Sequence, residues 1–362
     1  MTADRSKGER QDAIVITGVG LVTPVGHDSI SAPAAMHAGL SRFRKIPLFM
    51  TTSGAGAAGA RASGLTDERS GSDRLLALAI PAAREALFCA EELYDELDLS
   101  RGRCLLSLAP EERPRYEPFG AEDVRTLLEE SDATALVGTA ELVRDGHAGG
   151  ALALQRAVQL LREGSVDSCL VGGVDSLVEF PTLTWLNDAG RLKTDDHPDG
   201  FIPGEAAAFL VLETASKARG RGAPALAEIV ATAFGKEEAH LLTNAPLQGV
   251  GLTNVLREAL AAAGAPADGV LCDSNGEYWR TKEWCLAMTR VFAAAPAVPP
   301  LWQPAESVGD VGSASVPMLA TVAVAALRRG YLPGPSLLVW ASSDAGGRGS
   351  VVLRAPSADR AA

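Results

Sequence analysis

Residues 145–161 read DGHAGGALALQRAVQLL: a polar turn with one histidine, a glycine pair, then an amphipathic helix. His147 stands where a chain presents a nucleophile at a helix N-terminus. The unpaired N–H groups and the helix dipole favour an anion there. A thiolate would be activated at such a place. An imidazole is expected to have its pKa depressed instead, because the same field disfavours its charged form. Nor would it hold an acyl group for long, since an acyl-imidazole hydrolyses readily. The remaining candidates carry less chemistry. Gly18 and Gly20 start a phosphate-loop pattern that lacks the third glycine and the lysine. The five cysteines, Cys89, Cys104, Cys169, Cys272 and Cys285, show no CxxC spacing and read as buried reduced thiols. In NGEYWRTKEW (275–284), Tyr278, Trp279 and Trp284 stand together in a chain with 5% aromatics. That stretch reads as a helix start with two core tryptophans and a solvated face of Glu277, Arg280, Lys282 and Glu283, or as the wall of a pocket. His27, His37, His197 and His240 read as surface residues. Lys217, Arg219 and Arg221 read as a small solvated basic turn, with an acidic partner as the alternative.

The elements that must position His147 follow from periodicity. Continuous apolar or β-branched runs predict strands at 13–26 (ending in a loop), 104–109, 134–140, 168–176, 206–214, 226–235, 269–274, 336–343 and 349–355. A 3.6-residue period predicts helices at 73–99, 121–131, 149–163, 251–263, 281–294 and 315–329. The small-residue stretch 51–64 reads as a loop. Strand and helix alternate in both halves, which predicts mainly parallel, helix-covered sheets.

Composition narrows the function. The chain has 362 residues, 47% hydrophobic, and a net charge of −12. No basic surplus exists to neutralise phosphates, which argues against a nucleic-acid partner. No apolar run is long enough for a membrane span. A soluble, cytoplasmic protein is the expectation. Residues 1–11 are polar and read as a disordered leader.

Four stretches, VITGVGLVTPVG, LLREGSVDSCLVGGVDS, DGFIPGEAAAFLVLE and SSDAGGRGSVVL, resemble the β-ketoacyl-acyl carrier protein synthases of the thiolase-fold superfamily. GFIPGEAAAFLVLE is the most specific piece, and the resemblance covers roughly residues 12–355. It implies an α/β, thiolase-like five-layered αβαβα fold built from two related halves, 12–215 and 216–362, and a dimer. Members of that family condense acyl and malonyl units with a cysteine at a buried helix start and two histidines. Counting from LVGGVDS puts the cysteine position at His147. The first histidine falls at Asp273, with Cys272 as its rival, and the second at Asp310. The family lysine falls at Ala305 and the gating phenylalanine at Ala345. The triad is thus replaced: two carboxylates stand where imidazoles would donate to a developing enolate, and they are expected to repel it.

The expectation is a ketosynthase-like protein without condensing activity. It would act as a non-catalytic subunit, scaffold or acyl or carrier-protein binder in fatty-acid or polyketide-type metabolism. Its partners would be a second copy or an active ketosynthase, and an acyl carrier protein. One alternative is an acyl-thioester-processing enzyme using His147 with Asp273 or Asp310; another is ordinary 3-oxoacyl synthase activity. If the three positions converge, they make a vestigial ion pair, a His–Asp general base or a two-carboxylate, one-histidine metal site. No cofactor and no resident metal is expected.

Overall fold

The computed structural model describes residues 12–51, 54, 56–91, 97–115, 118–195, 197–243 and 245–356; the expected leader at 1–11 lies outside them. In chain order the first half holds β1 (Ile14–Val22), α1 (Ser31–His37), β2 (Phe43–Met50), β3 (Gly56–Ala60), α2 (Gly71–Glu91), β4 (Gly102–Ser107), α3 (Ala121–Glu130), β5 (Glu141–Val143), α4 (Gly149–Arg162), β6 (Ser168–Ser176), α5 (Phe180–Asp188) and β7 (Glu205–Thr214). The second holds α6 (Ala215–Gly220), β8 (Ala227–Lys236), α7 (Val250–Ala263), β9 (Gly269–Cys272), α8 (Tyr278–Val291), β10 (Leu301–Trp302), α9 (Ala305–Val308), α10 (Ser315–Arg329), β11 (Ser336–Ser342) and β12 (Gly347–Arg354).

Ten strands form one sheet in the order β10-β9-β11-β12-β8-β1-β7-β6-β4-β5. Its two ends repeat one pattern. From β1 outward, β7 and β6 pair antiparallel, then β4 and β5 parallel. From β8 outward, β12 and β11 pair antiparallel, then β9 and β10 parallel. The halves join where β1 and β8 run antiparallel, with Ile14 opposite Ile229. The sheet is therefore mixed, not mainly parallel. The first and last strands of each half lie side by side, and that adjacency makes the middle antiparallel.

Helices α4 and α10 pack on each other and on strands of both halves. Helices α2 and α3 cover the first half from outside, and α7 and α8 cover the second. The result is five layers. The central position explains the sequence of α10: Ser315 through Val324 are all buried, and the helix is small and apolar all round. The outer contact is close as well. A Cβ on Gly20 of β1 would lie 1.9 Å from the Ala82 carbonyl oxygen of α2. That pair of glycines serves helix–strand packing, not a phosphate.

Several expectations are corrected. Residues 134–140 are not a strand: a 3-10 turn takes Thr134–Leu136, and the edge strand follows at Glu141–Val143. The loop expected at 51–64 contains β3, which pairs with β2 in a separate two-stranded hairpin. Helix α2 is described as far as Glu91, residues 92–96 lie outside the described ones, and residues 97–99, expected in the helix, are not helical. Helix α8 begins three residues early, at Tyr278 instead of 281. The basic turn is partly helical, and Arg221 folds back on Glu213 at 2.6 Å. Of the cysteines, Cys104, Cys169 and Cys272 are buried, but Cys285 is exposed.

Candidate functional site

Two helix starts meet at the centre. Gly146, in the left-handed region at φ +61°, opens the 3-10 turn before α4, and Gly312, at φ +53°, opens the one before α10. Only glycine adopts such angles at little cost, so each helix is entered by a tight turn. The turns place His147 and Ser313 in matching positions, each two residues before its helix. Both side chains are buried.

His147 Nε2 lies 2.7 Å from Asp310 Oδ1. The other Asp310 oxygen accepts from Asn275 Nδ2 at 2.6 Å, and the Gly312 N–H donates to Oδ1 at 2.9 Å. Both oxygens of Asp310 are thus engaged. Burial opposes its ionisation, but His147, Arg280 and these donors together hold its carboxyl well below the usual range. The imidazole moves oppositely to the expectation. Burial and the Arg280 charge lower its pKa, yet the Asp310 carboxylate, with Asp344 beside it, outweighs them, so the pKa is raised.

Asp273 does not touch His147 by a hydrogen bond. Its Oδ2 accepts from Arg280 Nη1 at 2.5 Å and from the Ser342 N–H at 3.0 Å. Burial keeps this carboxyl above its ordinary value despite the guanidinium. Neighbouring Cys272 is a buried strand residue whose thiol burial pushes up to about 12. Ala305 and Ala345 carry no polar side chain. The expected convergence therefore holds for His147 and Asp310 as a contact, and for Asp273 only as a charged neighbour. The Oδ2 of Asp273 is committed to Arg280 and both oxygens of Asp310 to donors. Among the described residues no group of three His, Cys, Asp or Glu is arranged to hold a metal ion.

The larger part of the site lies in residues that the family triad does not mark. Arg280 is fully buried, stacks 4.6 Å from the Trp279 ring centroid, and donates to the Ser342 carbonyl at 2.6 Å. Arg191 chelates Glu277 with Nε and Nη2, both at 2.8 Å, and reaches Asp344 with Nη1 at 2.6 Å. Asn275 links Glu277 to Asp310, and His240 Nδ1 lies 3.0 Å from the Asp344 carbonyl oxygen. Glu277, Arg280 and Glu283 are thus buried, which corrects the solvated face expected for them, while Lys282 is exposed as expected. Glu283 pairs with Arg348 at 2.7 Å, both fully buried. The signal was in the phase: Arg280, Glu283, Trp284 and Ala287 share one i, i+3/i+4 stripe. On the other flank Arg113 pairs with Asp175, which also accepts the Ser313 N–H at 2.8 Å. Asp310 is paired with His147 and Asp273 Oδ2 with Arg280, while Asp273 Oδ1 is buried with no hydrogen-bond partner among the described residues.

Residues 133–218 match the family model described as Beta-ketoacyl synthase, N-terminal domain. A 3-oxoacyl-[acyl-carrier-protein] synthase 2 of Mycobacterium bovis is 27% identical over 259 residues, covering 67% of this chain and 60% of that protein. The match therefore spans less than two thirds of the relative's length. Erythronolide synthase EryA2 of Saccharopolyspora erythraea is 38% identical over 121 residues, 32% of this chain and 3% of that protein. Among solved structures, an AntDE:AntF complex of a type II polyketide acyl-carrier protein with its ketosynthase aligns with TM-score 0.81 at 18% identity, over 96% of this chain and 100% of that one. The ishigamide ketosynthase/chain length factor gives TM-score 0.81 at 20% identity with the same coverage. The fold is the thiolase-like fold of ketosynthases. The chain is similar in part to β-ketoacyl synthases, among them a 3-oxoacyl-[acyl-carrier-protein] synthase and polyketide synthases.

Proposed function

We propose that this chain is a ketosynthase-like subunit or binding protein that does not carry out decarboxylative condensation. The observation that carries this is the commitment of the His147 site. Condensation needs a thiolate to carry the acyl group and donors aimed at the enolate oxygen. Here His147 Nε2 is bound to Asp310, both Asp310 oxygens accept hydrogen bonds, and Arg280 donates to Asp273, Asp344 and a backbone carbonyl. Loss of a single oxyanion donor costs about 10²–10³ in rate; here both imidazoles and the thiol are replaced. The partners that fit are a second copy, an active ketosynthase or an acyl carrier protein, as in the complexes that the solved neighbours form.

A second reading is hydrolysis of an acyl thioester by the His147–Asp310 pair, favoured by their 2.7 Å contact. The raised imidazole pKa counts against it, because a general base must be neutral at working pH. The test follows acylated and malonylated carrier protein by mass spectrometry, with the protein and its His147→Ala variant. Intact carrier species with both proteins are expected. Condensed product, free acid or carbon dioxide that disappears in the variant would overturn the proposal.

A further inference from the structure

Residues 29–66 contain Arg42, Arg44, Lys45 and Arg61 and no Asp or Glu, within a chain of net charge −12. This acid-free stretch builds α1 and the β2–β3 hairpin, which stands apart from the main sheet. Beneath the hairpin lies a cavity of about 200 Å³. Its floor is apolar: Ile46, Phe49, Val178 and Leu183 are buried, and Phe180 closes it edge-on against Phe49 with ring centroids 5.7 Å apart.

Cations line the mouth. Arg69 is exposed and pairs with no carboxylate among the described residues, and Arg61 has only a 3.5 Å contact to the half-exposed Asp67. The other lining charges are occupied. Arg74 is bound to Glu205 at 2.7 Å, and Glu179 accepts the Gly71 N–H at 2.6 Å. Outside the mouth Leu48 is 99% exposed and Met50 62%, an apolar rim beside Arg44 and Lys45. A cavity of about 150 Å³ takes a benzene ring, so this one holds a short alkyl segment.

We propose that this cavity is a binding site for a small anionic amphiphile. Its carboxylate or phosphate head sits between Arg61 and Arg69, and a short apolar segment lies on Phe49, Phe180 and Leu183. A guanidinium fork matches either head, and the apolar floor supplies the hydrophobic part of the affinity. The site is separate from the His147 network, whose hydrogen bonds involve none of these residues. Its failure and the failure of the reading above are therefore independent.

The experiment is calorimetric titration of the full chain with octanoate, octyl phosphate, octanol and inorganic phosphate. It is repeated on Arg61→Gln/Arg69→Gln, on Arg69→Gln alone, and on Phe180→Ser. Arg69 is exposed, so its single variant keeps the fold, which thermal unfolding verifies. The headed chains are expected to bind, with octanol and inorganic phosphate each about tenfold or more weaker. The double variant loses about tenfold or more for the headed chains, and Phe180→Ser weakens them without affecting inorganic phosphate. The preference between octanoate and octyl phosphate assigns the head. Octanol binding as tightly as octanoate would overturn the proposal. So would unchanged binding in the double variant, or no binding by either headed chain.

Discussion

At the scale of residues, the site is an exchange of one kind of chemistry for another. His147 and Asp310 form a pair whose two shifts set a pH window. The raised His147 pKa contributes stability that is complete below about 6.5 and lost as pH climbs through the raised value. The lowered Asp310 pKa contributes stability present above about 3.8 and lost as pH falls through the lowered value. The pair is thus strongest between those limits. His147→Gln should lower the melting temperature most near pH 5–6 and flatten its fall between about pH 6 and pH 9. Thermal unfolding across that range checks it; parallel curves for the two proteins would sink it. Arg280 carries more of the electrostatics. Arg280→Met leaves Asp273 and Asp344 short of a cation and should destabilise by about 3–5 kcal/mol, measured by urea unfolding. His147 was legible because a helix start after glycines is a local pattern, and Asp310 by its distance from family landmarks. Arg191, Glu277 and Asp344 were not. Arg191 and its two carboxylates lie 86 and 153 residues apart, and no spacing rule links residues so distant.

At the scale of elements, long buried runs announced themselves. Strand β6 and helix α10 fall at the expected residues, because each carries a long buried run and ends in turn chemistry. The misses share a cause. β3 is Gly56–Ala60, five small residues with no β propensity, and becomes a strand only because β2 pairs with it. The 134–140 run looks like a strand, but its apolar residues fill the outer layer as a turn: Leu136 is buried there beside Ala133. The β1 glycines looked like a loop signal and are contact residues. Gly20→Ala puts a Cβ 1.9 Å from the Ala82 carbonyl oxygen, so α2 must move or β1 must bend. A cost of about 1–3 kcal/mol is expected. Gly220→Ala, which meets nothing within 4 Å, serves as the control and should stay near neutral. Urea midpoints of the two variants, compared at equal slope, decide it.

At the scale of the molecule, the boundary expected near residue 215 separates two equivalent strand sets, yet the sets share structure. Strand β1 is hydrogen-bonded to β7 on one side and β8 on the other. Helix α4 lies on β4 and β6 of its own half and on β8 and β12 of the other, while α10 packs back on β6 and β7. A fragment of residues 12–220 would expose one edge of β1 and the face of α4 that β12 covers. There Gly349 admits Ala151 so closely that a Cβ would lie 2.4 Å from its methyl carbon. It would also strand His147 without Asp310, a buried group without its counter-charge. Each half therefore lacks a closed core. The full chain should unfold in one cooperative transition. Residues 12–220 and 221–356 made separately should show neither a native near-ultraviolet circular dichroism spectrum nor a monomeric sedimentation peak, and co-expression should restore both. A half that folds alone, or two resolved transitions in the calorimeter, would mean that the shared central layer contributes far less than its burial implies.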